Sequence, residues 1–319
     1  MHKKKCPVCK STHTVKNGRR KGCQLYRCAD CGYQFRSNSL PNEADLWRLY
    51  QEGKQTVWEL SSSLGVSPST VKRRLRLVSM EWEQPALWGG GFVHLDATYW
   101  GHNWGVMLGV DEQTGRVLYM AFIRSETTAD YVAAVESIVR RGYDIKGLIV
   151  DGKKSLFSVF PAYRIQMCQF HMRQIVRRYL TQNPRLRAAR SLKRLVQTLT
   201  VARRADFERD FQDWKEEWHD TLCHRSHLKS GRMQYTHRRL RSAMHSIDFY
   251  LPYLFTFQSE ECAGMPNTNN KIEGIFTDLK KNLNNHSGMS EENRKRFICG
   301  FFLAWNETLS MKQQDPPTG

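Results

Sequence analysis

Gly147-Leu148-Ile149-Val150-Asp151 is apolar to its last residue and then closes on a carboxylate. Upstream, Thr127-Thr128-Ala129-Asp130 supplies a helix start, and Tyr131, Val132, Val135, Ile138 and Val139 follow at helical spacing on one face. A strand, a helix and then this apolar run make a crossover into a parallel strand. Earlier still, Phe92 to Trp100, Gly105 to Val110 and Arg116 to Ile123 are β-type runs. The polar segment Asp111-Glu112-Gln113-Thr114-Gly115 between the last two predicts a hairpin, and the three strands read as an antiparallel meander. Downstream, a helical piece with Leu156, Phe157 and Phe160 precedes a strand from Arg164 to Phe170, which hands over at His171 to a basic helix ending near Asn183-Pro184.

Three antiparallel strands followed by alternating helices and parallel strands is the order of the ribonuclease H-like fold. The predicted class is therefore α/β: a core with a mixed sheet, its first part at 92–183 and its last at 263–308, interrupted by an all-helical insertion at 184–262. Leu192, Leu195, Val196, Leu199, Phe207, Phe211, Trp214 and Trp218 give the insertion its helical spacing. Its later part, from His224 to Arg241, is dense in Arg, Lys and His and is a candidate surface for tracking DNA. Residues 81–91, with Pro85 and Gly89-Gly90-Gly91, read as a linker, and 309–319 as a disordered tail.

The front of the chain is of another kind. Cys6-Pro7-Val8-Cys9 and Cys28-Ala29-Asp30-Cys31 are two Cys-x-x-Cys pairs at the separation that lets two tight turns present four thiolates to one structural Zn²⁺. Residues 1–40 thus predict a zinc ribbon, with Cys23 outside the ligand set. Zinc binding, worth on the order of 10 kcal/mol in such modules, supplies most of its folding energy. Residues 43–80 predict a helix-turn-helix. Gly53 stops a first helix, Thr56-Val57-Trp58-Glu59 is a capping-box start, Leu64-Gly65-Val66 makes the turn, and Ser67-Pro68 opens a third helix. Ser69, Thr70, Lys72, Arg73, Arg74 and Arg76 give that helix a face suited to a major groove, with Val71, Leu75 and Val78 inward. Arg19, Arg20 and Lys21 in the ribbon are further DNA-contact candidates.

A net charge of +18, from 49 Lys and Arg against 31 Asp and Glu, predicts a polyanionic partner, with nucleic acid first and an anionic membrane surface second. No apolar run approaches the roughly 20 residues of a spanning helix, and the Cys-rich start is not a signal peptide. Paired cysteines at metal-ligand spacing fit a reducing compartment, so the expected setting is the cytoplasm, in association with the nucleoid.

Asp96 in Phe92-Val93-His94-Leu95-Asp96, Asp151, and Glu273 in Asn269-Asn270-Lys271-Ile272-Glu273 carry the expected chemistry. Acting on a phosphodiester requires charge neutralisation on both the attacking and the leaving oxygen, which two Mg²⁺ or Mn²⁺ ions about 3.5–4 Å apart achieve. Such hard cations take carboxylate oxygens. Asp96 is expected to bridge the ions, Asp151 to hold one and Glu273 the other. Glu260, Glu261, Asp278, Glu291 and Glu292 compete for the third position, which the polar run Asn267 to Asn270 assigns to Glu273 by contacting DNA or bracing the acid. Asp111 and Asp144 read as turn residues.

With these acids and Cys168-Gln169-Phe170-His171, residues 92–305 resemble the Mutator-like (MULE) superfamily of DDE transposases and its bacterial insertion-sequence relatives. The family pattern falls on Asp96, Asp151, Cys168 with His171, and Glu273. The resemblance implies Mg²⁺-dependent cleavage at transposon ends and joining of the freed 3′-hydroxyl to target DNA, by at least a dimer acting on double-stranded DNA. It also implies an insertion-domain tryptophan, either Trp214 or Trp218. Cys168 and His171 are read as neighbours of the active site, His171 contacting phosphate or steadying the metal. The zinc ribbon and helix-turn-helix lie outside the family core, and their role as readers of terminal inverted repeats rests on their own residues. The competing functions are a domesticated, non-cutting DNA-binding regulator and a ribonuclease H-like nuclease or resolvase without strand transfer.

Overall fold

The structure is a computed structural model describing residues 4–20, 23–36, 41–78, 80–82, 85–101, 103–228, 230–286 and 288–314. It opens with strands β1 (Thr14–Arg20), β2 (Cys23–Cys28) and β3 (Gln34–Arg36), then helices α1 (Glu43–Gln51), α2 (Val57–Leu64) and α3 (Pro68–Leu75). Next come β4 (Gly90–Trp100), β5 (Trp104–Asp111), β6 (Val117–Ile123), α4 (Thr128–Arg140), β7 (Asp144–Val150), α5 (Leu156–Val159) and β8 (Arg164–Met167). The rest is α6 (Gln169–Leu180), α7 (Arg187–Gln197), α8 (Arg204–Glu217), α9 (His219–Cys223), β9 (Arg225–His227), β10 (Met233–Tyr235), α10 (Arg238–Leu254), α11 (Asn270–Asn284) and α12 (Glu291–Gln314). Two compact units result: residues 1–81 with 281–300, and residues 82–280 with 301–319.

In the first unit, β1, β2 and β3 form an antiparallel sheet, with Tyr26 stacked on Phe35 at 5.9 Å. The helices begin where capping chemistry dictates. Thr56 Oγ1 accepts the Glu59 N–H while the Glu59 carboxylate accepts the Thr56 N–H, and Ser67 caps α3 ahead of Pro68. Gly65 ends α2 in the left-handed conformation that a residue without a Cβ adopts freely. Leu46, Leu60, Val71 and Leu75 are buried, whereas α3 ends at Leu75, leaving Val78 beyond the helix and half-buried. Residues 281–300, expected in the last part of the core, pack here instead. The reason is aromatic: Tyr50 lies 4.3 Å from the His286 ring and edge-on to Phe297, and Gln51 Nε2 donates to the Phe297 carbonyl.

The second unit is mixed α/β, built on a five-stranded sheet in the order β6-β5-β4-β7-β8. β6, β5 and β4 are antiparallel neighbours; β4, β7 and β8 run parallel. α4 covers one face through Tyr131, Val135 and Ile138, in one core with Leu95, Met107 and Leu118. Its close approach uses the bare backbone of Gly109, where a Cβ would stand 2.8 Å from Ile138 Cδ1. Burying each large apolar side chain here contributes roughly 1.5–3 kcal/mol.

Three expectations need correcting in this unit. Residues 184–262 are not wholly helical: β9 and β10 form a hairpin, turned at Gly231 (φ 79°) and clamped by Arg225 and Arg241 on the Tyr235 ring. Residues 85–91 are not a free linker, because Leu87 is buried, its N–H donates to the Arg141 carbonyl, and β4 already begins at Gly90. The tail from 309 is helical as far as Gln314. Among the described residues, no helix is long and apolar enough to cross a membrane.

Candidate active site and metal centres

Strand register brings the expected acids together. His94 pairs with Ile149 at the end of the parallel β4–β7 ladder, and Asp96 and Asp151 each follow two residues further on, near enough that the Asp151 charge raises Asp96. Val150 pairs with Met167 of β8, and the Cys168 N–H donates to the Val150 carbonyl at 2.9 Å. Asp96 thus lies within β4, two residues past its last parallel pairing with β7, while Asp151 and Cys168 directly follow the ends of β7 and β8, so the three sit on neighbouring strands of the parallel half of the sheet. The expected strand 164–170 is shorter than read, ending at Met167. Cys168 starts α6 by accepting the Met172 N–H on its carbonyl, which puts His171 in the first turn.

Backbone bonds bring Glu273 to this edge. Asn267 accepts the Gln169 N–H, and the Asn269 N–H donates to Cys168 Sγ at 3.3 Å. Cys168, His171 and Glu273 each offer a ligand atom, all within 4.8 Å of one another, and His171 Nε2 is 3.9 Å from Glu273 Oε1. Asp96 and Asp151 stand outside that radius. Among the described residues, the sets of three or more potential ligands this tight are this trio and the four ribbon cysteines.

The electrostatics show acids crowding one another. Asp96 is raised well above the usual carboxylate range by burial and then by the charges of Asp151, Glu126 and Glu273, against one N–H bond from Ala97. Glu126 is raised by burial and by Asp151, opposed by the Tyr131 hydroxyl that donates to it at 2.7 Å and by Lys153. Sequence reading missed Glu126, because it precedes the capping box of α4 and looks like any polar turn residue. The signal that finds it is spatial. The donor set of carboxylate oxygens with one imidazole fits a hard divalent cation. Cys168 is poorly suited to bind one, since burial pushes its thiol up to about 11, beyond what the N–H groups around it offset. His171 Nδ1 is buried and has no partner among the described residues.

The ribbon cysteines meet the expectation for a structural metal such as zinc. Cys6 Sγ lies 3.6 Å from Cys31 Sγ and Cys9 Sγ 3.4 Å from Cys28 Sγ, close to the ~3.8 Å edge of a tetrahedron with 2.3 Å metal–sulfur bonds. Burial raises the Cys6 thiol, but backbone N–H groups of Cys9 and Val8 outweigh it and bring it down to about 7, whereas Cys9 and Cys31 are raised.

Of the DNA-contact candidates, Ser69, Lys72, Arg73 and Arg76 are exposed on α3 or just past its end, and Arg19 and Arg20 on β1. Thr70 is half-buried with its hydroxyl 3.0 Å from the Ser67 cap. Arg74 is engaged elsewhere: its guanidinium donates to Glu43 Oε1 at 2.8 and 3.1 Å, so the expected groove contact is corrected to a brace between α3 and α1. Lys21 lies outside the described residues. In the insertion, Trp214 is buried and donates to Ala188 and Ser191. Trp218 keeps an unpartnered indole N–H and lines a groove of about 900 Å³ with Arg187, Arg190, Lys193 and Arg194. The basic stretch after His224 is partly consumed, with Arg239 donating to the Arg178 carbonyl and Arg241 to that of Leu222.

No protein-family model matches this chain, and no curated protein matches it. Among solved structures, it is similar to a chain in the cryo-EM structure of a simian T-cell lymphotropic virus intasome in complex with the PP2A regulatory subunit B56 gamma, at 10% identity and a TM-score of 0.22. The likeness covers 57% of this chain and 58% of that one.

Proposed function

We propose that the chain is a DDE transposase of the Mutator-like kind, with a ribonuclease H-like catalytic core. The observation that carries this reading is that Asp96 within β4, Asp151 just after β7 and Cys168 just after β8 sit on neighbouring parallel strands, with Glu273 joined to them through Asn269. Divalent cations, when bound, supply Lewis-acid stabilisation of the attacking and leaving oxygens. Asp96, Asp151 and Glu273 are the residues that would hold such ions. His171, in the first turn of α6, presents Nε2 beside Glu273, where it steadies that carboxylate or meets a phosphate oxygen. Half-burial of the acids limits competing water and strengthens every charge interaction within the cluster. The zinc-binding ribbon and the exposed Ser69, Lys72, Arg73 and Arg76 read the element's ends. The groove lined by Arg187, Arg190, Arg194 and Trp218 holds DNA during the reaction, which assigns the insertion tryptophan to Trp218.

The intact set of acids favours an enzyme over a non-cutting regulator. Transfer is separated from plain hydrolysis by the fate of the 3′-hydroxyl. With purified protein, Mg²⁺, DNA carrying the element's own ends and a target plasmid, the expected product is end DNA covalently joined to plasmid. Nicked ends that never join the plasmid would favour the nuclease, and binding without nicking the regulator.

A further inference from the structure

A buried polar junction behind the acids is not used by the chemistry above. His94 and Asn269 are both fully buried, at 0% exposure. His94 sits two residues before Asp96, so both side chains leave the same face of β4. Its Nδ1 lies 2.8 Å from Asn269 Oδ1 and its Nε2 2.5 Å from Glu112 Oε2, while Glu112 is in turn 3.5 Å from Lys271 Nζ. Asn269 also bonds through its backbone, donating to Cys168 Sγ at 3.3 Å and accepting the Glu273 N–H at 3.1 Å.

We propose that Asn269 is a positioning residue that sets Glu273 against Asp96, joining the strand face of Asp96, the Cys168 turn and the first turn of α11 through three hydrogen bonds. Residues 267–269 precede α11, and a segment outside regular structure holds one position only where such bonds fix it. The junction fixes it to the strand that carries Asp96. One further feature separates positioning from plain packing: Asn269 Nδ2 is buried with no partner among the described residues, a cost that an apolar residue of the same size avoids. Retaining an amide there serves the oxygen that meets His94. The inference rests on reading Asp96, Asp151 and Glu273 as metal-holding acids.

The test uses the full-length, zinc-loaded protein without DNA, comparing wild type, Asn269→Leu and Asn269→Asp by Mn²⁺ titration calorimetry and by amide hydrogen exchange over residues 267–275, each below its melting temperature. Asn269→Leu is expected to weaken Mn²⁺ binding roughly 10–100-fold, the usual effect of losing an outer partner of a metal site, and to speed exchange in that segment. Asn269→Asp keeps an oxygen for His94 and is expected to recover most of the affinity. Wild-type affinity and exchange in Asn269→Leu would overturn the proposal, as would an Asn269→Asp variant no better than Asn269→Leu. If wild type binds no Mn²⁺, the metal-site reading fails, and exchange then decides the bracing role: faster supports it, unchanged overturns it. Should Asn269→Leu not fold, His94→Leu cuts the same link from the other side, with the same expected losses.

Discussion

Asp96 concentrates the conflict between stability and function in one side chain. Burial and the charges of Asp151, Glu126 and Glu273 raise its folded-state pKa. The unfolded chain titrates near ~3.9, so between that value and the raised one the folded state holds a proton that the unfolded state has lost. The resulting penalty is absent below the ordinary aspartate range, grows as pH rises through this window and is complete above the folded pKa. Metal-free Asp96→Asn is therefore expected to melt above wild type at neutral pH, with the gap closing on acidification and on adding Mg²⁺ to the wild type. Calorimetric scans at several pH values would show it, and a gap independent of pH would contradict it. At the same scale, Lys72 and Arg73 are exposed whereas Arg74 holds Glu43. Replacing Lys72 or Arg73 by Ala should lower the log–log salt slope of end binding by ~0.9 each, and Arg74→Ala should leave it unchanged. Sequence alone could not separate these neighbours: Lys72, Arg73 and Arg74 read as one basic run, and only the fold puts Glu43 beside the third. Asp96 and Asp151 were legible because each stands after an apolar run; Glu126 and the His94–Asn269 link were not, because their meaning lies in contacts spanning up to 175 residues.

Among the elements, those with strong local chemistry were readable. The capping boxes at Thr56 and Thr127, the Ser67-Pro68 start and the paired cysteines each fix their structure within a few residues. The β9–β10 hairpin was not readable, since three-residue strands have too little period to show and the Tyr235 ring that clamps them lies among arginines that look like surface charge. The ribbon gives the clearest prediction at this scale. Its described core is little more than Cys6, Cys28 and a stacked aromatic pair, so a metal held by the four cysteines would supply most of its stability, on the order of 10 kcal/mol. Cys9→Ser, or a strong chelator, is expected to release one zinc and to collapse the amide signals of residues 4–36 while those of the five-stranded sheet persist. Retained signals without zinc would show that the ribbon folds unaided.

For the whole molecule, the order of strands and helices in the sequence predicted a mixed α/β sheet, and the five-stranded order with its parallel half agrees with that. The division of the chain was less legible. Residues 281–300 join the N-terminal unit because Tyr50 and Trp47 gather His286, Phe297 and Gly300, a choice that helical periodicity does not encode. If the proposed function holds, a reader of DNA ends and a cluster of acids on one chain make separable demands, and one can be lost without the other. The measurement that tests this most directly is Mg²⁺-dependent nicking of end DNA by wild type, Asp96→Asn, Asp151→Asn and Glu273→Gln, with end binding measured in parallel. Each substitution should reduce nicking at least ~10³-fold, the scale of losing an electrostatic element of a catalytic site, while binding stays within about threefold. Full nicking by Asp96→Asn or Asp151→Asn would contradict the account.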